Sequence, residues 1–404
     1  MATIVPFKAV RPTRDKAALV TSRSYDEYSP AELASQLDYN PFSFLHVLNP
    51  AYVNQQKLSG ATRFTSVNLK YQEFKTEGIL KEETAPVFLL YEIQSRNNTF
   101  TGIIAATSIA DYKNNIIKKH EDTLSYRVEY FKDYLHQTGF NTEPVLITYP
   151  QNNTLQQWIT ERKQRRPLHL FSSLNKDKHT LWRIRDAEEI QWLQKQFDNI
   201  PALYIADGHH RSASAEMLYD QDKETGNENL NYFMSFLISE HDLKIYEYNR
   251  VIHSLHGLKK ENLLEALAVD FEIENKHLEL WKPEQKFEFG MYMDGEFYAL
   301  RLKNRVFTSV REALDAQILY DNVLHPLLGI TDLRSDVRIE YLPGSRPITM
   351  LKELVDSYED AVGFTLFPAS IEEIKALADN NLIMPPKSTY IEPKFRSGLV
   401  VYEL

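Results

Sequence analysis

Two hairpin signals restrict the folds that are open to this chain. The apolar and aromatic stretch from Phe287 to Leu302 is interrupted by Asp294-Gly295, and Asp-Gly between two strand-like runs is typical of a two-residue β-turn. A second pair of strand-like runs, Pro86 to Ile93 and Phe100 to Thr107, is joined by a short polar turn. Because hairpins join antiparallel strands, these signals favour sheets that are mainly antiparallel.

Helix signals are interspersed irregularly with the strands. In three places an N-cap residue stands three positions before a glutamate, which predicts a helix start: Ser29 with Glu32, Asp186 with Glu189, and Ser370 with Glu373. A further helix is expected from Asp111 to Lys119, and a further hairpin from Tyr232–Ser239 with Leu243–Arg250. The pattern predicts an α+β fold class, with mixed, mainly antiparallel sheets and flanking helices.

A polar stretch around Gly226-Asn227 is the predicted domain boundary. It divides the chain into an N-terminal α+β domain, residues 1–226, and a C-terminal α+β domain, residues 227–404. A length of 404 residues is sufficient for two hydrophobic cores of ordinary size.

Composition excludes several kinds of chemistry. The chain has no cysteine, so disulfides, thiolate nucleophiles and zinc–thiolate sites are excluded. It carries 46 Lys and Arg against 56 Asp and Glu, a net charge of −10, so general nucleic-acid binding is not expected. The first residues lack the apolar segment of a secretory signal, and no apolar run is long enough to cross a bilayer. We therefore expect a cytoplasmic protein without a membrane partner.

The segment IADGHHRSASAE, from Ile205 to Glu216, is the most informative for function. A buried strand ends at Asp207, Gly208 permits a sharp turn, and a helix follows. Free N–H groups at a helix start bind anions, and the adjacent His209, His210 and Arg211 add charge-assisted donors for phosphate or carboxylate. The alternative interpretation is that Asp207 caps the helix and that the histidines lie on a polar surface. Zinc is not expected, because no HxH or HExxH spacing is present.

Three further segments carry candidate residues. The tail supplies phosphate-binding residue types at Lys387, Ser388, Thr389, Lys394 and Arg396, although the glycines of a P-loop are missing. His120 and Glu121 are candidates for acid–base catalysis, and Asp26 and Glu27 are further candidate carboxylates. The respective alternatives are an ordinary polar tail, a solvated helix end, and a turn followed by a helix N-cap. The basic run Arg162 to Arg166 is interpreted as a solvated helix face.

The chain resembles a bacterial and archaeal family that is catalogued as domain of unknown function ten-fifteen. Four segments carry this resemblance: NPFSFLHVLNP, IKKHEDT, YIADGHHR and MPPKSTYIEPKFRSGL. The DGHHR segment is in turn similar to the phosphate-binding turn of the ParB/sulfiredoxin-like superfamily, which includes free-serine kinases. That similarity implies a ParB/sulfiredoxin-like subdomain. The superfamily offers three chemistries. Sulfiredoxin chemistry needs a cysteine, which this chain lacks, and ParB-type DNA binding needs a basic surface that is not evident. The third chemistry is phosphoryl transfer to a small hydroxyl compound.

The resemblance therefore implies a serine kinase-like phosphotransferase of serine metabolism, acting on a small hydroxyl compound. ATP, ADP or pyrophosphate would be the donor, with Mg²⁺ as its companion ion and no metal site of the protein's own. Gly208, His209, His210 and Arg211 would hold phosphates, and Lys387, Ser388, Thr389, Lys394 and Arg396 would close over them. The base that deprotonates the acceptor would be Glu121, Asp26 or Glu27, with His120 and Asp207 as further catalytic candidates. A non-catalytic binder of a phosphometabolite or nucleotide and a ParB-like DNA-binding protein are the alternatives, and the oligomeric state stays open.

Overall fold

The computed structural model describes residues 2–52 and 58–404, apart from the side chain of Asp26. In these ranges the strands are β1 (Ile4–Val5), β2 (Val10–Pro12), β3 (Leu80–Glu82), β4 (Phe88–Gln94), β5 (Thr99–Ser108), β6 (Ile117–Lys118), β7 (Phe140–Asn141), β8 (Val145–Tyr149), β9 (His169–Ser172), β10 (Lys178–Ile184), β11 (Leu203–Asp207), β12 (Tyr232–Ser239), β13 (Lys244–Ile252), β14 (Phe271–His277), β15 (Glu288–Met293), β16 (Glu296–Leu302), β17 (Ile339–Pro343), β18 (Val362–Leu366), β19 (Thr389–Glu392) and β20 (Tyr402–Glu403).

The helices alternate irregularly with these strands, as the α+β class predicts. They are α1 (Ala17–Val20), α2 (Pro30–Tyr39), α3 (Leu45–Leu48), α4 (Gly60–Thr76), α5 (Ile109–Lys113), α6 (Ser125–Thr138), α7 (Asn153–Lys163), α8 (Ala187–Asp198), α9 (His209–Asp222), α10 (Lys260–Asp270), α11 (Asp315–Leu319), α12 (Ile348–Asp356) and α13 (Ile371–Asp379). No helix in the described part of the chain has the length and apolar character needed to cross a membrane.

Local signals determine several of these elements. Ser29 and Glu32 form a reciprocal capping box at the start of α2, with Pro30 in the first turn, and Ser370 does the same with Glu373 at the start of α13. Strands β15 and β16 form the predicted hairpin, in which Met293 pairs with Glu296 across the Asp-Gly turn. Strands β4 and β5 form the other predicted hairpin. These predictions are confirmed.

The chain divides into two compact units. The first consists of Met1–Lys119, Thr123–Leu243 and Pro393–Leu404, and the second of His120–Asp122 and Lys244–Glu392. The sequence-based boundary at residues 226 and 227 therefore falls inside the first unit, just before β12. The division into residues 1–226 and 227–404 stays a prediction.

The first unit is built on a sheet with the strand order β6-β11-β8-β12-β5-β4-β10-β9, in which β1 also pairs with β5. Strand β12 runs parallel to β8, and β11 runs parallel to β6, while the other described pairings of this sheet are antiparallel. Its core contains strand residues such as Ile103, Ile147 and Ile205, packed with Leu193 and Phe197 of α8. This sheet carries β11, whose end forms the DGHHR turn.

The second unit contains a sheet with the order β14-β16-β15-β18-β13-β17, and β19 also pairs with β13. Phe289, Leu300 and Phe364 from its strands form one buried cluster with Leu263 and Leu267 of α10. The pairings recorded in this sheet are antiparallel.

Two local predictions are wrong. Strand β12 does not pair with β13, because backbone hydrogen bonds to other strands already occupy both of its edges. It lies between β5 and β8 instead. The helix expected from Asp111 to Lys119 ends at Lys113, since Asn115 adopts a left-handed conformation and Ile117–Lys118 forms β6.

A buried carboxyl group lies in the second unit. Asp315, at the start of α11, is 6% exposed, and the amide of Phe287 donates to its oxygens at 3.1 and 3.3 Å. Burial raises the pKa of Asp315 to about 7, against the opposing effects of the Phe287 amide and of Lys286, while Glu373 adds to the rise. The folded protein therefore holds a proton that the unfolded chain releases near its ordinary pKa of about 4.

We expect Asp315→Asn to stabilise the protein increasingly as the pH rises from about 4 to about 7, because an amide keeps the acceptor for Phe287 without a charge. The difference in the free energy of unfolding should reach at most roughly 4 kcal/mol and level off above pH 7. Denaturant unfolding between pH 4 and 9 measures it, with the exposed Asp321→Asn as control. The same gain at pH 5 and pH 8.5 would contradict the prediction.

Candidate active site at the DGHHR turn

The predicted strand, turn and helix are confirmed at the DGHHR segment. Strand β11 ends at Asp207, Gly208 has a φ of 103°, and α9 begins at His209. This φ lies in the left-handed region, where side chains other than glycine are strained. A Cβ atom at Gly208 would also lie 3.0 Å from Nε of Arg211. Glycine is therefore needed both for the turn and for the path of the arginine side chain.

The Asp207 carboxylate lies between two cations. Its Oδ2 accepts from Nη2 of Arg211 at 2.7 Å, and its Oδ1 accepts from Nζ of Lys394 at 3.1 Å. Nη1 of Arg211 also donates to the carbonyl of Pro144 at 2.6 Å. Two of the predicted phosphate-binding cations thus meet at one carboxylate, although they are 183 residues apart in the sequence. Asp207 positions both of them.

The two histidines face different surroundings. Nε2 of His210 accepts a hydrogen bond from the amide of Leu124 at 3.1 Å, at the residue that precedes α6. A ring nitrogen that accepts carries no proton, so this contact selects the neutral imidazole with its proton on Nδ1. His209 is buried in the first turn of α9. The contact with Leu124 connects the starts of α6 and α9, and a phosphate-binding role for either histidine stays a prediction.

Glu27 combines surface exposure with a shifted pKa. It ends a short 3₁₀-helix, Tyr25–Glu27, and the residue as a whole is exposed. Protein atoms nevertheless surround the carboxyl group closely enough that partial desolvation raises its pKa. Lys394 is the largest opposing influence, followed by Arg23, while the charge of Glu143 raises the pKa further. The carboxylate therefore lies within electrostatic reach of Lys394. The side chain of Asp26, the neighbouring candidate, lies outside the described residues.

A cleft of about 380 Å³ adjoins this group of charges. Tyr25, Tyr130, Phe131 and Tyr134 form aromatic parts of its wall, and Glu143 and Arg211 are among its polar lining residues. Ligand pockets of proteins commonly have volumes of about 300–1,000 Å³ and combine an apolar wall with a few polar groups. The cleft matches this description and shares Arg211 with the turn.

The sequence alone did not identify Glu143 as a candidate site residue. One oxygen of its carboxylate accepts from Oγ of Ser397 at 2.7 Å, and the other lies 3.9 Å from Nη1 of Arg211. Arg23, which lowers the pKa of Glu27, was missed as well. No local motif marks Glu143, because the fold brings it to Arg211 from a distant part of the chain.

The tail contributes to both units. Lys394 and Arg396 belong to the first unit, where Arg396 donates from Nε to the hydroxyl of Thr21 at 3.1 Å and from Nη2 to its carbonyl at 2.5 Å. Burial lowers the pKa of this arginine. Arg396 thus fastens the tail, and its expected contact with phosphate stays a prediction.

Five predicted residues belong to the second unit: His120, Glu121, Lys387, Ser388 and Thr389. Nζ of Lys387 lies 5.1 Å from the ring centre of Tyr248, and the hydroxyl of Ser388 donates to the carbonyl of Pro385 at 2.7 Å. His120 is buried, and its carbonyl accepts from the amide of Met384. A composite site that joins these residues to the DGHHR turn stays a prediction.

The described His, Asp and Glu side chains are not arranged as the ligands of a metal ion. Within residues 2–52 and 58–404, no group of three or more His, Asp or Glu side chains is arranged to hold an ion. At the turn, Asp207 contacts two cations, and Glu143 accepts from Ser397.

Comparison with known proteins assigns the family. The family model described as "Protein of unknown function (DUF1015)" matches residues 4–317, and the chain belongs to this family. No curated protein matches the chain.

Three solved structures resemble the chain at low sequence identity. SbnI with a C-terminal truncation from Staphylococcus aureus is 14% identical, and the alignment covers 73% of the present chain and 85% of the SbnI chain, with a TM-score of 0.37. A free serine kinase in complex with AMP is 12% identical, with coverage of 76% and 94% and a TM-score of 0.36. A conserved hypothetical protein from Pyrococcus furiosus is 13% identical, with coverage of 75% and 94% and a TM-score of 0.35. These likenesses carry no argument about the present site.

We expect Gly208→Ala to destabilise the protein and displace Arg211, because the new Cβ adds a close contact to a strained backbone. The backbone strain alone should cost about 1 kcal/mol. Gly226→Ala is the matched control, since Gly226 also has a positive φ, of 75°, but open space around its Cβ position. Thermal unfolding of both variants measures the difference, and equal losses would show that the contact with Arg211 is unimportant.

Proposed function

We propose that the protein is a phosphotransferase that moves a phosphoryl group to the hydroxyl of a small metabolite, with free serine as the first acceptor to test. The observation that carries the proposal is the arrangement at the DGHHR turn. Lys394 and Arg211 flank Asp207 at a helix start, and Glu27 lies within electrostatic reach of Lys394. The similarity of DGHHR to the phosphate-binding turn of free-serine kinases supports the same chemistry.

Glu27 is the proposed general base. A base must be unprotonated at the working pH but basic enough to take the hydroxyl proton, and desolvation raises the pKa of this carboxyl toward that range. Lys394 limits the rise and so keeps the carboxylate available. Glu121, another candidate from the sequence, belongs to the second unit, and its role as the base stays a prediction.

Arg211 and Lys394 are the proposed donors to the transferred phosphoryl group. Asp207 and the Pro144 carbonyl hold the Arg211 guanidinium in place before a ligand arrives, so little reorganisation is needed. The amides at the start of α9 add hydrogen-bond donors and the positive end of the helix dipole. The cleft lined by Tyr25, Phe131 and Glu143 would hold the body of the donor or the acceptor.

The test of activity combines the purified chain with Mg²⁺, a donor panel of ATP, ADP and pyrophosphate, and serine among other small alcohols. Phosphorus NMR or mass spectrometry identifies the product. Glu27→Gln should lower kcat about 10²–10⁴-fold, because the amide cannot accept the hydroxyl proton. The exposed Glu129→Gln serves as control and should keep full activity. Absence of turnover for every donor and acceptor, or full activity of Glu27→Gln, would refute the proposal.

The charge of Lys394 should control the pH dependence. Lys394 lowers the pKa of Glu27, so Lys394→Met removes that influence and lets the pKa rise further. The base is active when deprotonated, so the acid limb of the kcat/KM profile should move to higher pH by several tenths of a unit or more. Lys195→Met, an exposed lysine on α8, is the control. An unchanged limb, or a shift to lower pH, would contradict the assignment.

A non-catalytic binding protein is the second candidate function. It is favoured by the internal pairing of Asp207 with Arg211 and Lys394 and by the structural use of His210. Such a protein would show a saturable rise in Tm with a nucleotide or phosphometabolite and no turnover in the same assay.

A further inference from the structure

A second charged cleft lies on the first unit, and none of its lining residues belongs to the cleft at the DGHHR turn. It has a volume of about 360 Å³. Three of its arginines come from the end of α7 and the turn after it, and two come from the end of β10 and the residue that follows. These five residues, here named the arginine cleft, are Arg162, Arg165, Arg166, Arg183 and Arg185.

The carboxylates in this lining are fewer than the arginines. They are Asp186 and Glu189, and both make other hydrogen bonds. Asp186 accepts from the amide of Glu189 as the N-cap of α8, and Glu189 accepts from Nε1 of Trp158 at 3.1 Å. Nη1 of Arg165 lies 3.8 Å from Glu189, which is ion-pair contact without a close hydrogen bond. Arg183 is also paired outside this lining, with Glu83 at 2.9 Å, and the remaining arginines still leave positive charge in excess in the arginine cleft.

Arg162 has the least exposed side chain for which the group's ion pairs give a value. Its side chain is 10% exposed and donates from Nη2 to the carbonyl of Arg183. Its Nε has no hydrogen-bond partner in the described part of the chain, and the nearest Glu189 oxygen is 3.7 Å away. Burial lowers the pKa of Arg162, and the charge of Arg165 lowers it further, against the effect of Glu189. The guanidinium is thus held by the Arg183 carbonyl and by ion-pair contact with Glu189, and it adds positive charge at the wall of the cleft.

The residue types that line the cleft indicate which class of ligand it binds. Arginine presents a planar fork that binds phosphate through two parallel hydrogen bonds, and no lysine lines the cleft. Arg166 and Arg185 are exposed at the cleft and accessible to a ligand from solvent. We infer that the arginine cleft binds a small oligophosphate, a compound with two or more linked phosphate groups.

A small ligand is favoured over a nucleic acid by two features. The cleft volume is that of a small-molecule pocket. The protein as a whole carries a net charge of −10, which opposes a long polyanion away from the cleft.

Isothermal titration of the full chain with inorganic tripolyphosphate tests the inference. Arg166→Ala and Arg185→Ala should each raise the Kd about tenfold or more, as expected for the loss of a charge-assisted hydrogen bond. Arg96→Ala, an exposed arginine in the β4–β5 turn, should leave the Kd unchanged. Orthophosphate at equal ionic strength should bind at least tenfold more weakly than tripolyphosphate.

Lys394→Ala separates this site from the one at the DGHHR turn. Binding that survives Lys394→Ala and falls with Arg166→Ala supports the arginine cleft, whether or not the protein proves to be a phosphotransferase. Absence of binding, loss of binding with Lys394→Ala alone, or an equal loss with Arg96→Ala would overturn it. Tighter binding of single-stranded oligonucleotides, increasing with their length, would also overturn it and indicate a nucleic-acid surface.

Discussion

The contact of Asp207 with both Arg211 and Lys394 joins the end of the chain to the DGHHR turn. An isolated, partly exposed ion pair stabilises a protein by at most about 1 kcal/mol, so this contact alone cannot hold the tail in place. The tail is held by its neighbours. The backbone of Ser397 pairs with Ser22, and that of Val401 pairs with Val10. With the tail fixed in this way, Asp207 has a different effect: it determines where the Lys394 ammonium lies, and through Lys394 it influences the pKa of Glu27.

The candidate site is dense in charge of both signs. Asp207, Glu27 and Glu143 lie among Arg211 and Lys394, so added phosphate would meet neighbouring carboxylates as well as cations. This balance distinguishes the turn from the arginine cleft, where positive charge is in excess. A balanced site suits a reaction that needs both a base and donors to phosphate, whereas an excess of arginine suits tight binding of an anion without chemistry.

Signals that act over a few residues were readable from the sequence. Capping boxes, the Asp-Gly hairpin and the strand–glycine–helix turn depend on neighbours within one element, and the structure confirms them. Pairing between distant strands was not readable: β12 is apolar on both faces, and its partners are decided by the whole sheet. The site shows the same limit. The sequence identified Asp207, Arg211 and Lys394 as residue types, but their meeting depends on the path of the last twelve residues.

The basic run from Arg162 to Arg166 shows why a local interpretation can be incomplete. Taken alone it resembles the solvated end of a helix, where arginines favour the negative end of the dipole. Strand β10 then places Arg183 and Arg185 at the same cleft, and the carbonyl of Arg183 accepts from Arg162, so that one arginine is drawn into the protein. A solvated surface run does not account for five arginines from two separate elements at one cleft. The convergence of α7 and β10, which leaves Arg166 and Arg185 exposed at the cleft, is what makes this surface a binding site in our interpretation.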